Sequence, residues 1–264
     1  MDNRPIGFFD SGVGGVTTIP HIMRMLPNES IIFFGDTART PYGSKSAKTI
    51  RQFTLQIGEF LKNNDVKMIV IACNTVSSTA LELLRETYPD IPIVGCITPT
   101  AKEVVKICDK DSRIGIMATK ATVKSGVYED KIKSLNEELF IKSIACPALV
   151  PLIEEGIIDN EIMDLTLKYY LDDFIRENDI NTLILGCTHY PLISKNLKRL
   201  YPNIKIFSSS KEVATAVKME LEAADMLSQN ENAKSIFYAS DLSENFVNMI
   251  ERILGRDSDE LNIK

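Results

Sequence analysis

Two cysteines in this sequence lie in matching surroundings and are candidates for proton transfer. Cys73 lies in the segment Val66–Thr75, and Cys187 lies at the same place in a similar segment, Ile180–His189. In each segment an apolar run ends in a small residue, the cysteine follows, and hydrogen-bonding residues come next. A lone cysteine is most often a small buried hydrophobe. Because these two occupy equivalent positions and have polar neighbours, we interpret both as reactive thiols.

Two equivalent thiols on opposite faces of one carbon have the arrangement that stereoinversion requires. One thiolate removes a proton from the α-carbon of a substrate, and the other, as a thiol, returns a proton to the opposite face. This chemistry needs neither a metal nor a cofactor. We predict that Cys73 and Cys187 face one substrate, and that a position at a helix N-terminus lowers the pKa of each thiol. Cys96, Cys108 and Cys146 have no counterpart in the repeat and are predicted to be inert.

Polar residues at the ends of predicted strands are candidates for substrate binding. Asp10 and Ser11 open the glycine-rich loop Asp10–Gly15, whose glycines permit close backbone approach. Asp10 suits contact with a substrate ammonium or assistance to proton transfer, although helix capping is an equally good account. His189, close after Cys187, is a candidate to control the proton of that thiol. Short uncharged donors suit a carboxylate, and they are Asn74, Thr75, Thr119 and Thr188.

Two further segments leave alternatives open. The loop Gly35–Gly43, which contains Tyr42 and Gly43, is either a solvated polar loop or a wall of the substrate site. Glu154 and Glu155 follow an apolar segment and by default form a solvated pair near a helix start.

The elements that must position these residues alternate between short apolar runs and longer amphipathic stretches. This alternation predicts an α/β fold with parallel sheets, and several strands are apolar at consecutive positions, as in strands buried on both faces. The predicted strands are Ile6–Phe9, Ile31–Phe34, Met68–Ala72, Ile91–Val94, Ile114–Met117, Phe140–Ile144, Leu183–Leu185 and Ile204–Phe207. The predicted helices are Ala47–Asn63, Ser77–Tyr88, Thr98–Cys108, Asn160–Glu177 and Lys211–Met226.

A second pair of similar segments supports an internal repeat. Ile6–Ser11 resembles Ile114–Thr119, at nearly the same separation as the two cysteine segments. We predict two pseudo-symmetric α/β domains with mainly parallel sheets and an active site in the cleft between them. The first comprises residues 1–97 together with 209–264, and the second comprises residues 98–208. The polar tail Arg256–Lys264 is expected to fray.

Composition and charge exclude several classes of protein. Of the 264 residues, 44% are hydrophobic and 25% charged, which excludes a disordered or fibrous chain. The net charge is −6 and no dense run of Lys and Arg exists, which argues against nucleic acid or an anionic membrane as a partner. No apolar run is long enough to span a membrane, and the N-terminus carries no secretion signal. The five cysteines form no C-x-x-C pair and no zinc-binding pattern, so we expect a cytoplasmic protein with free thiols and no metal.

Four blocks of the sequence together resemble the signature blocks of bacterial glutamate racemases. They occur in the same order, and the resemblance extends from about Gly7 to Pro191. The two cysteine blocks alone would indicate only the broader aspartate/glutamate racemase superfamily. The blocks are Asp10–Gly15, Gly35–Gly43, Ala72–Thr75 and Leu185–Leu192.

The resemblance implies a cofactor-independent enzyme that interconverts L- and D-glutamate and supplies D-glutamate for peptidoglycan, commonly as a homodimer. Cys73 would then act on the D enantiomer and Cys187 on the L enantiomer. Asp10, His189 and a glutamate from the block around Glu154 would assist them; Glu154 is our choice, and Glu155 stays open. The substrate-binding residues that the resemblance implies are Asp10, Ser11, Tyr42, Gly43, Asn74, Thr75, Thr188 and His189.

Other functions remain compatible with parts of this pattern. An aspartate racemase, or a racemase of a related amino acid, would use the same chemistry, but the two loops before Cys73 resemble the glutamate enzymes in particular. A non-catalytic amino-acid-binding protein could have the same architecture, yet binding needs no paired acid and base. A thiol-redox enzyme is disfavoured because Cys73 and Cys187 lie in separate halves.

Overall fold

The apolar runs of the sequence form the strands of two sheets, in a computed structural model that describes residues 1–257 and 261–264. All pairings between these described strands are parallel. The strands are β1 (Ile6–Asp10), β2 (Ile31–Gly35), β3 (Met68–Ile71), β4 (Ile93–Gly95), β5 (Arg113–Ala118), β6 (Phe140–Ala145), β7 (Thr182–Gly186), β8 (Lys205–Ser208), β9 (Ser235–Ala239) and β10 (Asn262–Ile263).

Helices connect these strands and cover the sheets. The helix α2 coincides with the predicted helix, and the Ser46 side chain caps it by accepting a hydrogen bond from Thr49 N at 3.2 Å. The helices are α1 (Ile19–Met25), α2 (Ala47–Asn63), α3 (Asn74–Thr79), α4 (Leu81–Thr87), α5 (Ile97–Ile107), α6 (Lys120–Ser125), α7 (Val127–Leu135), α8 (Leu149–Glu154), α9 (Glu161–Asn178), α10 (Ser194–Leu200), α11 (Ser210–Ala223) and α12 (Glu244–Leu254).

The two sheets repeat one strand order. The first sheet runs β10-β9-β2-β1-β3-β4, and the second runs β6-β5-β7-β8. The order β2-β1-β3-β4 in the first sheet therefore corresponds to β6-β5-β7-β8 in the second, so that β1 matches β5 and β3 matches β7. These are the strands of the two similar segment pairs found in the sequence. The predicted fold, two α/β halves with mainly parallel sheets, is confirmed.

The division of the chain follows the sheets. Strands of the first sheet come from residues 1–97 and 209–264, whereas those of the second come from residues 98–208. However, α11 packs against both α1 and α5, and one hydrophobic cluster contains buried residues of both halves. The predicted domain boundaries therefore stay a proposal.

Three local expectations differ from the structure. The predicted helix Ser77–Tyr88 is two helices, because the backbone leaves the helical region at Ala80, which has φ −138° and ψ 6°. The strand β9 and the helix α12 were not predicted. The tail was expected to fray, but its described end pairs with β9, where Lys264 N donates to Phe237 O at 2.8 Å, while residues 258–260 lie outside the described chain.

This topology determines where the candidate residues lie. In each sheet the strand order reverses at a central strand, β1 or β5, and ligands of parallel sheets bind beyond the carboxyl ends of the strands at such a point. Asp10 ends β1 and Cys73 follows β3, while Thr119 follows β5 and Cys187 follows β7. The residues predicted to bind or react with a substrate therefore lie at equivalent strand ends of the two halves.

Candidate active site

One small cavity lies where the carboxyl ends of both sheets meet. Cys73 of the first half and Cys187 of the second half both line it, and both side chains are buried. Pro41 and Val150, which were not predicted, complete the wall. The other predicted residues that line the cavity are Ser11, Tyr42, Gly43, Asn74, Thr75, Thr119, Thr188 and His189.

Two predicted acidic residues lie directly behind this lining. Asp10 Oδ1 accepts a hydrogen bond from Thr188 Oγ1 at 3.1 Å, and Oδ2 accepts one from Gly12 N at 3.1 Å. Glu154 Oε1 lies 3.0 Å from His189 Nε2 and accepts a hydrogen bond from Thr40 Oγ1 at 3.1 Å. The neighbouring Glu155 is exposed, so Glu154 is the glutamate that contacts the site.

The surroundings of Cys73 oppose its ionisation. Its thiol donates a hydrogen bond to Ser11 Oγ at 3.4 Å. Burial, together with the negative charge of Asp10, raises the pKa of Cys73 well above its usual value. The expectation that a helix N-terminus lowers this pKa is wrong, because the loss of water and the nearby carboxylate outweigh the dipole of the short helix α3 (Asn74–Thr79).

The surroundings of Cys187 are those of a cysteine–histidine pair. Cys187 Sγ lies 3.8 Å from His189 Nδ1, and His189 is 1% exposed. Burial lowers the pKa of His189, but hydrogen bonds with Cys187 and Glu154, and their negative charges, raise it well above its usual value. The imidazole is therefore positively charged near neutral pH. The turn after Cys187 leads into a 3₁₀ segment, Tyr190–Ile193, instead of the α-helix that was expected.

Asp10 titrates near physiological pH. Its side chain is fully buried, and burial raises its pKa from 3.8 to about 6, although the charge of His189 and hydrogen bonds from Gly12, Gly15 and Thr188 oppose the shift. A buried carboxyl group with such a pKa can hold or release a proton during a reaction near neutral pH.

Two glycines permit the halves to approach closely at this site. A Cβ atom on Gly14 would lie 2.5 Å from His189 Nδ1, and one on Gly43 would lie 2.5 Å from Thr119 Cβ. Both distances are far shorter than a van der Waals contact. The predicted role of the glycine-rich loop in close backbone approach is confirmed.

Asp36 supports the cavity wall, although the sequence indicated no role for it. This residue is fully buried and accepts hydrogen bonds from the hydroxyl of Tyr42, from Arg39 Nε at 2.9 Å and from Ser240 Oγ at 2.8 Å. The network fixes Tyr42 against the cavity. The signal that could have identified Asp36 is its position directly after the buried strand β2.

Thr122 and Tyr128, which the sequence did not indicate, join predicted residues in contacts between the two halves beside the cavity. Thr75 Oγ1 lies 2.9 Å from Thr119 Oγ1 and 3.3 Å from Thr122 Oγ1. Tyr128 donates a hydrogen bond to Asn74 Oδ1 at 2.7 Å. Because Thr122 and Tyr128 lie within helices, no local sequence signal distinguishes them from ordinary helical residues.

The remaining candidates lie apart from the cavity. Cys96, Cys108 and Cys146 do not line it, and burial raises the pKa of each thiol, which agrees with their predicted inertness. A larger hollow of about 470 Å³ lies between α4, α5 and α11, and it contains none of the predicted site residues. Within residues 1–257 and 261–264, the helices lack the length and apolar character needed to cross a membrane. In the same residues, no group of three or more His, Cys, Asp or Glu side chains is arranged to hold a metal ion.

Comparison with known proteins assigns the chain to a family. The model of the Asp/Glu/hydantoin racemase family matches residues 17–217. The chain belongs to this racemase family. Among its members, a glutamate racemase of Geobacter metallireducens is 41% identical over 257 residues, which make up 97% of this chain and 94% of the relative.

Solved structures of family members have the same fold. The crystal structure of a glutamate racemase from Francisella tularensis in complex with D-glutamate has a TM-score of 0.91 and 37% identity, and the match covers 97% of this chain and 95% of that one. Glutamate racemase isoform RacE1 from Bacillus anthracis has a TM-score of 0.93 and 36% identity, with coverage of 100% and 97%. The similarity to glutamate racemases thus extends over both halves of the molecule.

Proposed function

We propose that the protein is a glutamate racemase, an isomerase that interconverts L- and D-glutamate by proton transfer between two cysteines and without a cofactor. The observation that carries this proposal is that Cys73 and Cys187, from opposite halves, line one cavity. The choice of glutamate is supported by family members that carry this name and by the D-glutamate bound to the Francisella tularensis relative.

In the L-to-D direction, Cys187 is the base and Cys73 is the acid. The Cys187 thiolate takes the α-proton of L-glutamate, and the electron pair of the broken C–H bond remains on the substrate. The Cys73 thiol then delivers its proton to the opposite face of the α-carbon, which forms D-glutamate and leaves a thiolate on Cys73. The positive charge of His189 stabilises a thiolate at Cys187, and Asp10 favours the protonated form of Cys73. The reverse reaction exchanges these roles.

Uncharged donors hold the carboxylates of the substrate. Ser11 and Thr75 present hydroxyl groups at the cavity, and Asn74 presents an amide whose Nδ2 is buried without a hydrogen-bond partner among the described residues. A buried donor that lacks an acceptor is costly, by about 1–3 kcal/mol. A substrate carboxylate supplies the missing acceptor.

We propose that the product D-glutamate serves peptidoglycan synthesis in the cytoplasm, and that the enzyme acts as a homodimer. The dimer is supported by three exposed apolar side chains, Ile162, Leu165 and Tyr169, which share one face of α9. Sedimentation equilibrium tests this proposal, because a dimer has twice the chain mass of 29.5 kDa.

Circular dichroism of the amino acid over time tests the proposed activity. The purified protein is expected to bring optically pure L- or D-glutamate to the racemic mixture without added cofactor. Parallel assays with aspartate test the nearest alternative, and a clear preference for aspartate would overturn the choice of glutamate. If the protein binds glutamate but does not exchange its α-proton with solvent, it is an amino-acid-binding protein instead of a racemase.

A further inference from the structure

A buried tyrosine of the second half is bonded to the asparagine that follows Cys73. Tyr128, on α7, is 2% exposed, and its hydroxyl donates a hydrogen bond to Asn74 Oδ1 at 2.7 Å. Asn74 is also 2% exposed and lines the cavity, whereas Tyr128 is not among the lining residues. The bond therefore connects a helix of one half to the start of α3 in the other half, directly behind the cavity wall.

The other end of the same amide has no partner. Asn74 Nδ2 is buried and donates to no atom in the described part of the chain. Such orphaned donors are rare in folded proteins, and each one needs a specific reason. Because the amide is planar and its oxygen and nitrogen point in different directions, a bond that fixes Oδ1 also fixes the direction of Nδ2.

The tyrosine hydroxyl is suited to hold this orientation. Burial raises the pKa of Tyr128 well above its usual value, so the hydroxyl stays protonated and keeps a hydrogen to donate. With that hydrogen directed at Oδ1, the amide is held with Nδ2 free. In the opposite orientation, the amide would turn its acceptor towards the cavity, where it would repel a carboxylate.

We propose that Tyr128 is a positioning residue for substrate binding: its hydroxyl orients the Asn74 amide so that Nδ2 donates to a carboxylate of the amino acid. This inference rests on the racemase function proposed above. Tyr128 acts through Asn74 and does not itself touch the substrate.

Tyr128→Phe removes the hydroxyl and keeps the ring. The variant is expected to raise KM for glutamate about tenfold while kcat changes by less than about threefold, because a carboxylate contact serves the ground state and the transition state alike. The matched control is Tyr201→Phe, which removes a hydrogen bond of 2.7 Å to Asp172 on the surface of the same half and should leave KM unchanged. An unchanged KM in Tyr128→Phe overturns the proposal.

A double-mutant cycle separates positioning from a general structural effect. In the Asn74→Ala background the amide is absent, so adding Tyr128→Phe is expected to leave KM unchanged. If Tyr128→Phe raises KM by the same factor in both backgrounds, it does not act through Asn74 and the proposal is wrong.

A third variant keeps the proposal testable if Tyr128→Phe does not fold. Asn74→Asp still accepts the Tyr128 hydrogen bond but offers no donor to the cavity, so KM is expected to rise by at least about tenfold. A wild-type KM in this variant overturns the proposal. The wild-type assay distinguishes the two hypotheses: an inactive wild type contradicts the racemase function, whereas an active wild type with normal variants contradicts only the role of Tyr128.

Discussion

The two cysteine sites occupy equivalent places in the fold but have opposite electrostatic surroundings. Cys73 and Cys187 follow the matching strands β3 and β7 and line the same cavity. The thiol of Cys73 contacts a neutral hydroxyl group, and its burial, followed by the nearby carboxylate of Asp10, raises its pKa. Cys187 instead lies 3.8 Å from the ring of His189, which carries a positive charge near neutral pH.

This difference shows how a symmetric backbone can hold one acid and one base. A two-base racemase needs one cysteine protonated and the other ionised at the same moment, and two identical environments would not select between them. In the structure, the carboxylate of Asp10 favours the thiol at Cys73, and the imidazolium of His189 attracts negative charge to Cys187. The rates of the two directions stay linked, because enantiomers have equal free energies and kcat/KM must be the same for both.

Removal of either sulfur has the largest expected effect. General acid–base catalysis contributes about 10²–10⁴-fold, so Cys73→Ala and Cys187→Ala should each lower kcat/KM by at least about 10²-fold in both directions. Circular dichroism of glutamate measures the rate. The matched control is Cys108→Ala, at a half-buried thiol outside the cavity, which should retain activity. Near-normal turnover by either of the first two variants would contradict the two-thiol mechanism.

The buried carboxyl group beside Cys73 should lower stability as the pH rises. Its pKa is about 6 in the folded protein and 3.8 in the unfolded chain, so the protonated form stabilises the fold fully below about pH 3.8, and this contribution is lost as the pH rises through about 6. Asp10→Asn never acquires the buried charge. Relative to wild type, the variant should gain about 3 kcal/mol of unfolding free energy between about pH 3 and about pH 7, since one pKa unit corresponds to about 1.4 kcal/mol.

Urea unfolding of wild type and Asp10→Asn at both pH values measures this gain. The same variant should lose racemase activity. Asp10, which assists Cys73, would then lower the stability of the protein while being required for its activity. A difference in unfolding free energy that does not depend on pH would show that Asp10 is not buried as a charge.

His189 should control which sulfur is reactive, with a smaller effect than the two changes above. In the free wild-type protein, iodoacetamide should modify Cys187 about tenfold faster than Cys73, because the thiolate is the reactive form. His189→Gln removes the positive charge and should abolish most of this preference. Peptide mapping by mass spectrometry measures both rates in one sample. An unchanged ratio in the variant would mean that access, and not the charge of His189, distinguishes the two thiols.

The sequence predicts those features of the fold that depend on local pattern. The consecutive apolar residues of Met68–Ala72 and the polar residues after them place Cys73 at a strand end without any tertiary information. The amphipathic pattern of Ala47–Asn63 predicts α2 with the bounds that the structure shows. By contrast, β9 has a mixed, half-buried pattern, and its strand character depends on pairing with β2, whose residues lie far away in the chain.

The details of the site depend on contacts that no local pattern encodes. Glu154 and Glu155 are adjacent and chemically identical, and only the packing of α8 directs Glu154 towards His189. The pKa of Cys73 shifts in the opposite direction to the expected one, because it depends on burial, which arises from tertiary packing around the cavity. The Tyr128 bond to Asn74 spans 54 residues of sequence.

Isotope exchange in D₂O tests the central claim that two different groups act on opposite faces of one carbon. With L-glutamate as substrate and measurement at early times, D-glutamate should contain one solvent deuterium at Cα, while the remaining L-glutamate contains none, because the group that removes the proton is not the group that returns it. Deuterium that enters L-glutamate as fast as D-glutamate forms, or product that retains the original proton, would contradict the account.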